Sequence, residues 1–506
     1  MSLFKSSKGF TTRNFCIGSP EAEAETTHKS KIRLSDVFED FLEILPELNT
    51  EKFIVVGRKG SGKTALAEYL FEMQNAKPNF FCDFVKKFDI DIQKIVQVGK
   101  EKGTNIQEEL LFKWIILTKI LRLISRNEAL QHLRGMKELK QFLQRNSGFI
   151  DIKSYEIVEV ISNQGFEVSI EYFRRFSSKF SRDIKLRGEK APFYKLIPHL
   201  EETIIDLLTS IDDIDNEYFI IFDDLDIGFK ATSKEHVSIL IALLRIAKDY
   251  NINYFGKNGL DVKVIILLRD DIADVLRLAD SDTAKIFSSY GILISWYEHE
   301  IFSRNENLLK IKRFINKRIE KNFSQNDIPL FSERGAWNSL IQEDTTYYKD
   351  SSFKYVLEHT FYKPRDLILF FLPISKFEFN IPLEPSNVNQ LLGKYSKEAI
   401  DEVNNEFVAF LDNNEIKGIY QMLERFCNEE YFSYSKLREM IEQHSFSIES
   451  DQLITLLFKY SLIGNKDISN KKVYFKCREE RTNDINFNKE LPIVLHYIVK
   501  VFIKNK

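Results

Sequence analysis

Phe53-Ile54-Val55-Val56-Gly57-Arg58-Lys59-Gly60-Ser61-Gly62-Lys63-Thr64-Ala65-Leu66 decides how this chain is read. An apolar run comes first, then a glycine-rich turn, then the helix-prone run TALAEYLFE. From Gly57 to Thr64 the turn satisfies G-x-x-x-x-G-K-[ST], and a strand before it with a helix after it is the context the pattern requires. Glycines let successive backbone N–H groups turn inward around phosphate oxygens. The helix N-terminus adds its dipole. Gly57, Arg58, Lys59, Gly60, Ser61, Gly62, Lys63, Thr64 and Ala65 are therefore expected to cradle a nucleotide. Lys63 is expected to reach the β- and γ-phosphates and Thr64 to ligate Mg²⁺. The competing reading is a chance glycine-rich turn.

A phosphate loop needs an acidic partner on another strand. Phe219-Ile220-Ile221-Phe222-Asp223-Asp224 supplies four apolar residues and then two carboxylates. Asp223 is expected to hold Mg²⁺, mostly through water. Asp224 is expected to orient or deprotonate the attacking water, with Asp226 assisting. The competing reading is a strand that merely ends in a polar turn. The next apolar run ends in Arg269-Asp270-Asp271. A polar group at this strand end is expected between the phosphate loop and the acidic strand, where Arg269 would sense the γ-phosphate. The alternative is a salt bridge from Arg269 to Asp270 or Asp271. A second sensor candidate is Arg365, in Lys363-Pro364-Arg365-Asp366 at the head of a helical stretch, where Pro suits the first turn. Its alternative is pairing within the lid. Arg313 and Arg318 are candidate fingers across a subunit interface, with no sequence feature selecting either.

Around these motifs the chain divides into a segment 1–50, an ATPase core 51–298, a helical lid 299–411 and a terminal unit 412–506. Strands are expected at Phe53–Val56, Phe80–Val85, Tyr218–Phe222, Val262–Leu268 and Ile292–Trp296. Helices are expected at Leu34–Leu48, Thr64–Met73, Asn105–Ser125, Ile197–Leu208 and Lys234–Asp249. Apolar strands alternating with helices imply a parallel sheet covered on both faces. The core carries a helical and basic insertion at about 126–195. The terminal unit reads as helices at Ile416–Phe426, Ser435–His444 and Ser450–Ser461, a turn at Gly464–Asn465, a hairpin around Val473–Cys477 and a helix at Leu491–Ile503. Three helices followed by a hairpin is the winged-helix order.

Composition narrows the classes. With 506 residues the chain holds roughly two to four domains. Hydrophobic residues at 43% and charged residues at 29% give a globular composition rather than a disordered one. A formal charge of −3 supplies no global field toward nucleic acid or anionic membrane, so any such contact is local. The 43 phenylalanines are read as genome bias. Cys16, Cys82, Cys427 and Cys477 lie far apart without a C-x-x-C, which fits a reducing cytoplasm and argues against a zinc site. The absence of a signal-type apolar run at the N-terminus, and of any window of about 18 apolar residues, excludes secreted and membrane-spanning classes.

Several stretches together resemble a prokaryotic P-loop ATPase family related to the AAA+ and STAND NTPases, often found near phage-defence genes. They are NFCIGSPEAEAE (14–25), FIVVGRKGSGKTAL (53–66), YFIIFDDLDIGF (218–229), VIILLRDDI (264–272), ISWYEHEIF (294–302), KPRDLILFF (363–371), LLFKYSLIGN (456–465) and VYFKCRE (473–479). The resemblance implies an ATP-driven, Mg²⁺-dependent switch that oligomerises or works with a separate effector in antiphage defence. Its adenine preference also comes from the family. Asp224 stands where many AAA+ proteins carry Glu, which implies slow turnover. No long sensor-repeat array and no nuclease, protease or TIR-type effector is recognisable in these residues, so an effector or sensor on a separate chain is expected. Two alternatives stay open, a DNA-loaded initiator-like ATPase and a nucleotide-locked scaffold.

Nucleic acid has two candidate sites. One is the basic run that contains Arg174, Arg175, Lys179 and Arg182, interleaved with Phe173, Phe176 and Phe180. The other is the terminal hairpin, with Lys466, Lys471, Lys472, Lys476 and Arg478. A solvated insertion or a partner-binding loop is the commoner reading of the first, and a protein-contact or lid role is favoured for the second. The third helix of the terminal unit, with Glu449, Asp451 and Lys459, suits a phosphate-lined groove poorly. The histidines show no metal spacing, and His299 and His496 read as core or edge residues.

Overall fold

In the computed structural model, residues 10–86, 107–147, 167–176, 190–210, 215–231, 233–331, 333, 335–408, 410–480 and 485–505 are described. The chain forms two units. A sheet unit comprises Glu43–Arg58 and Leu66–Leu293, and a helical unit comprises Met1–Leu42, Lys59–Ala65 and Ile294–Lys506.

The sheet unit is built on strands β1 (Ile54–Gly57), β2 (Phe80–Lys86), β5 (Glu217–Asp223), β6 (Val262–Arg269) and β7 (Gly291–Ile294), in the order β2-β5-β6-β1-β7. A short antiparallel pair, β3 (Glu167–Ser169) and β4 (Lys190–Pro192), stands apart from them. β2–β5, β5–β6 and β6–β1 are parallel. In β5 every residue after Glu217 is buried. Successive side chains of a strand point to opposite faces, so both faces of the sheet are covered. This is the expected α/β core, and each of the five expected strands is present within two residues.

Helix α1 (Lys63–Ala76) follows β1 along the chain. Helix α2 (Glu108–Arg126) is apolar nearly all round, with Trp114, Ile116, Leu117, Ile120 and Leu121 almost fully buried. It packs on β5, on the helix Ile197–Thr209 and on α3 (Lys234–Lys248), so most of its surface is covered, with Glu109 and Arg126 left exposed at its ends. Ser233 caps α3 by accepting from the His236 amide at 3.3 Å. Helix α4 (Asp270–Ala279) begins directly after β6.

At the amino end of β6, Lys263 donates to the Thr50 carbonyl. Burial lowers its pKa from 10.5 to about 8, and Glu51 acts in the opposite direction.

In the helical unit, helices α5 (Lys310–Gln325), α6 (Pro364–Phe371) and α7 (Pro385–Phe407) precede α8 (Asn413–Glu424), α9 (Tyr434–Glu442) and α10 (Ser450–Lys459). The antiparallel strands β8 (Ile463–Asp467), β9 (Lys472–Tyr474) and β10 (Ile493–Leu495) follow, then α11 (Tyr497–Lys504). One apolar cluster runs from Phe15 through Trp337, Leu391 and Leu457 to Val499. Residues 299–411 and 412–506 therefore share a core.

Three local expectations are corrected. The helix expected over Leu34–Leu48 is only Leu34–Val37 and Ile44–Leu48, because Glu43 adopts a left-handed φ of 55° and Phe41 and Leu42 are buried between the two pieces. Gly464 and Asn465 form no turn. They lie inside β8, where the Asn465 side chain accepts from the Asn488 amide at 2.9 Å. The start of the helix expected at Leu491–Ile503 is instead β10, whose Ile493, Val494 and Leu495 pair with β8 and are all buried.

The N-terminal segment is tied to α5. Asn322 and the Cys16 backbone exchange two hydrogen bonds of 2.7 Å. Arg318 forms a bidentate pair with Glu25 at 2.7 and 2.8 Å and donates to the Ile17 carbonyl at 3.0 Å. A Cβ at Gly18, whose φ is +149°, would collide with the Arg318 guanidinium. Both charges are almost fully buried, with side-chain exposures of 4% and 2%.

Removing one member of such a pair strands the other charge out of water. Glu25→Ala should destabilise the helical unit by about 3–5 kcal/mol, while Glu25→Leu with Arg318→Met should recover most of the loss. Denaturant unfolding of the three proteins checks this. For Lys263 the fold disfavours the charged form, so its penalty is complete below pH 8 and fades as pH rises toward 10.5. The melting temperature of Lys263→Met relative to the parent should accordingly be higher at pH 7 than at pH 10.

Candidate functional site

All the paired strands of the parallel sheet run the same way, so their carboxyl ends form one edge. Ligands of open α/β sheets bind outside that edge. Register places Gly57 beside Arg269 and Lys86 beside Asp223. Since β6 lies between β5 and β1, Arg269 ends the strand that separates the acidic strand from the strand leading into the glycine turn. That is the position expected of it from the sequence.

Asp223 is 3% exposed, and its carboxylate accepts the Asp224 amide at 2.8 Å. Asp224 has a left-handed φ of 56°, a conformation uncommon outside glycine that recurs at functional sites. Lys86 brings its ammonium within 4.0 Å of the Asp224 carboxylate and 3.6 Å of Glu68. Nothing in the sequence marks Lys86. It becomes visible only through the pairing of β2 with β5.

Arg269 grips Asp271 with two bonds of 2.6 and 3.0 Å and reaches Asp226 at 3.3 Å. The salt bridge considered from the sequence is therefore present. Its guanidinium is anchored at the start of α4, where Asp270 and Asp271 also favour the helix dipole.

The chain leaves β1 at Gly57 and enters α1 at Lys63, so Lys63, Thr64 and Ala65 form the first turn of a helix. Between them Gly60 has φ +79° and Gly62 has φ +102°. Both values fall where residues with a Cβ are strained. A Cβ at Gly62 would meet no atom within 4 Å, whereas one at Gly60 would lie 3.0 Å from Arg365 Cβ. Gly62 thus faces open space. Arg58 and Lys59 are half-buried.

Within the helical unit the loop meets groups far along the chain. Trp296 Nε1 donates to the Ser61 carbonyl at 2.8 Å, and the Arg365 amide approaches the Gly60 carbonyl at 3.4 Å. Pro364 occupies the first turn of α6, as expected, and sets Arg365 beside Gly60. The Arg365 guanidinium is engaged by the Pro20 carbonyl at 3.0 Å, Glu21 at 3.3 Å and Glu402 at 3.4 Å. The pairing considered from the sequence is therefore present, to Glu402 and also to Glu21, while the backbone of Arg365 lies against the loop. Glu21 and Trp296 fall in the stretches 14–25 and 294–302 that carry the resemblance, but no sequence pattern marked either side chain, or Glu402, as a neighbour of the loop.

Arg318 does not qualify as an intersubunit finger, because it is buried against Glu25. Arg313 is exposed and pairs with Glu39 at 2.8 Å. Of the basic hairpin, Lys466 pairs with Glu430 and Lys476 with Glu479. Arg478 lies between the rings of Tyr362 and Phe475, at 5.4 and 5.3 Å, while Lys471 and Lys472 are exposed. Lys179 and Arg182 lie outside the described residues, as do the side chains of Arg174 and Arg175. His496 is buried and caps α11, in keeping with its reading as core. Among the described residues no cluster of His, Cys, Asp and Glu has metal-binding geometry. No described helix is long and apolar enough to cross a membrane.

Residues 309–404 match the FunZ-associated C-terminal helical domain, a span that runs from α5 to α7 and contains Arg365 and Glu402. No curated protein matches the chain.

The two glycines make a discriminating pair. Gly62→Ala should lose about 1–3 kcal/mol from backbone strain alone. Gly60→Ala should lose more, because its methyl group also displaces Arg365. Unfolding midpoints of the two variants check the order.

Proposed function

We propose that the chain is an ATP-binding and ATP-hydrolysing switch of the P-loop type, with a winged-helix-like terminal unit. The observation that carries this reading is the β1–turn–α1 passage. Its motif is complete, both turn glycines hold left-handed conformations, and it opens from the carboxyl edge of a parallel sheet that also carries Asp223, Asp224 and Arg269.

The residues fit a magnesium nucleotide. Gly62 leaves room where phosphate oxygens would approach backbone N–H groups. Lys63 would bind the β- and γ-phosphates, and Thr64 and Asp223 would hold the metal. When bound, Mg²⁺ would neutralise charge on the phosphates. Asp224 would position a water and accept its proton as the water oxygen bonds to the γ-phosphorus and the bond to the ADP oxygen breaks. Lys86, its ammonium 4.0 Å from the Asp224 carboxylate, would supply a counter-charge beside it. Arg269 and Arg365, each already paired with carboxylates, would exchange those partners for phosphate and so report its presence.

The wider reading, a regulatory ATPase of antiphage defence with a separate effector or as a homo-oligomer, rests on the motif resemblance. The DNA-loaded alternative draws less support, since Lys466 and Lys476 of the hairpin are neutralised within the chain.

Two variants test the assignment. Lys63→Ala should abolish binding of ATP with Mg²⁺. Asp224→Asn, chosen because Asn tolerates a left-handed φ, should bind normally and lower turnover by about 10²–10⁴-fold. Normal hydrolysis by Asp224→Asn would remove Asp224 from the chemistry.

A further inference from the structure

Trp296 stands two residues past β7, and nothing in the motif assigns it a part in the loop. Its ring packs edge-on against Phe314, with centroids 5.8 Å apart, at the border of the helical unit's apolar cluster. Its indole N–H donates to the Ser61 carbonyl at 2.8 Å. Ser61 is 3% exposed, so water has little access to take that place.

The peptide bond is planar and trans, so the carbonyl of Ser61 and the N–H of Gly62 point in opposite directions. Tying the carbonyl to Trp296 turns the Gly62 N–H the other way, on the glycine whose own surroundings are open. The preceding peptide is treated alike, since the Arg365 amide lies 3.4 Å from the Gly60 carbonyl and the Ser61 N–H must point away from it. Two consecutive loop amides are thus oriented through their carbonyls by residues of the helical unit.

We infer that Trp296 is a positioning residue for the phosphate loop, holding the Ser61–Gly62 peptide so that the Gly62 N–H is presented to a phosphate oxygen. This rests on the nucleotide reading of the loop. A buried indole N–H needs an acceptor wherever the ring packs; here the acceptor is a loop carbonyl, which couples the ring's position to the Ser61–Gly62 peptide. The bond also makes Trp296 a reporter, because its indole adjoins the loop whereas Trp114 and Trp337 are fully buried.

Trp296→Phe keeps the ring and removes the donor. Its affinity for ATP with Mg²⁺, measured by calorimetry, should fall about three- to tenfold, the size of one neutral hydrogen bond. Phe314→Leu loosens the packing and spares the donor, and should leave the affinity unchanged. Nucleotide should shift tryptophan emission in the parent and in Trp337→Phe, but not in Trp296→Phe. Equal affinity of Trp296→Phe and the parent, with Lys63→Ala not binding, would overturn the inference and leave the loop reading intact. An affinity loss in Phe314→Leu as large as in Trp296→Phe would overturn it too, by assigning the effect to packing. A parent protein that binds no nucleotide would overturn both.

Discussion

Two backbone conformations, φ +79° at Gly60 and +102° at Gly62, govern the passage from β1 to α1. Each sits where a Cβ is strained, so the turn closes most cheaply with glycine there. The turn in turn fixes where α1 begins, and with it the positions of Lys63 and Thr64 on the helix's first turn. Orientation comes from the peptide plane. Because the loop carbonyls of Gly60 and Ser61 are directed at Arg365 and Trp296, the amides on their other sides face away from those residues. On the proposed reading, it is backbone geometry rather than any single charged side chain that would receive the phosphates.

Charge placement follows a second rule, that a cation kept from water needs carboxylates around it. Arg318 meets it with Glu25, and the pair welds the N-terminal segment to α5. Arg269 meets it with Asp271 and Asp226, and Arg365 with Glu21 and Glu402. The last two differ from the first in exposure: side chains of Arg269 and Arg365 are each 16% exposed against 4% for Arg318. A buried bidentate pair serves structure, while partly exposed arginines with shared acidic partners can exchange them. The distinction separates Arg318 from the sensor candidates on physical grounds.

The sheet was legible because its strands are short, apolar and bounded by turns, and continuous apolarity over a short run sufficed for β5 and β6. The acid pair and the glycine turn were legible because their chemistry is written in consecutive residues. What pairing creates was not legible. Lys86 acquires meaning only when β2 lies against β5, and Trp296 only when its indole meets a carbonyl 235 positions away. The helix expected at Leu34–Leu48 failed for a related reason. Its apolar spacing is helical, but Phe41 and Leu42 are buried through a break at Glu43, and tertiary burial outweighed local periodicity. In β10 the short run Ile493–Leu495 carries no periodic signal, and its pairing with β8 decides it.

The central claim is that the β1–α1 turn binds a magnesium nucleotide. Calorimetric titration of the intact protein with ATP, in the presence and absence of Mg²⁺, tests it most directly. The account predicts one nucleotide bound per chain, more tightly with the metal than without it. Absence of binding under both conditions would contradict it.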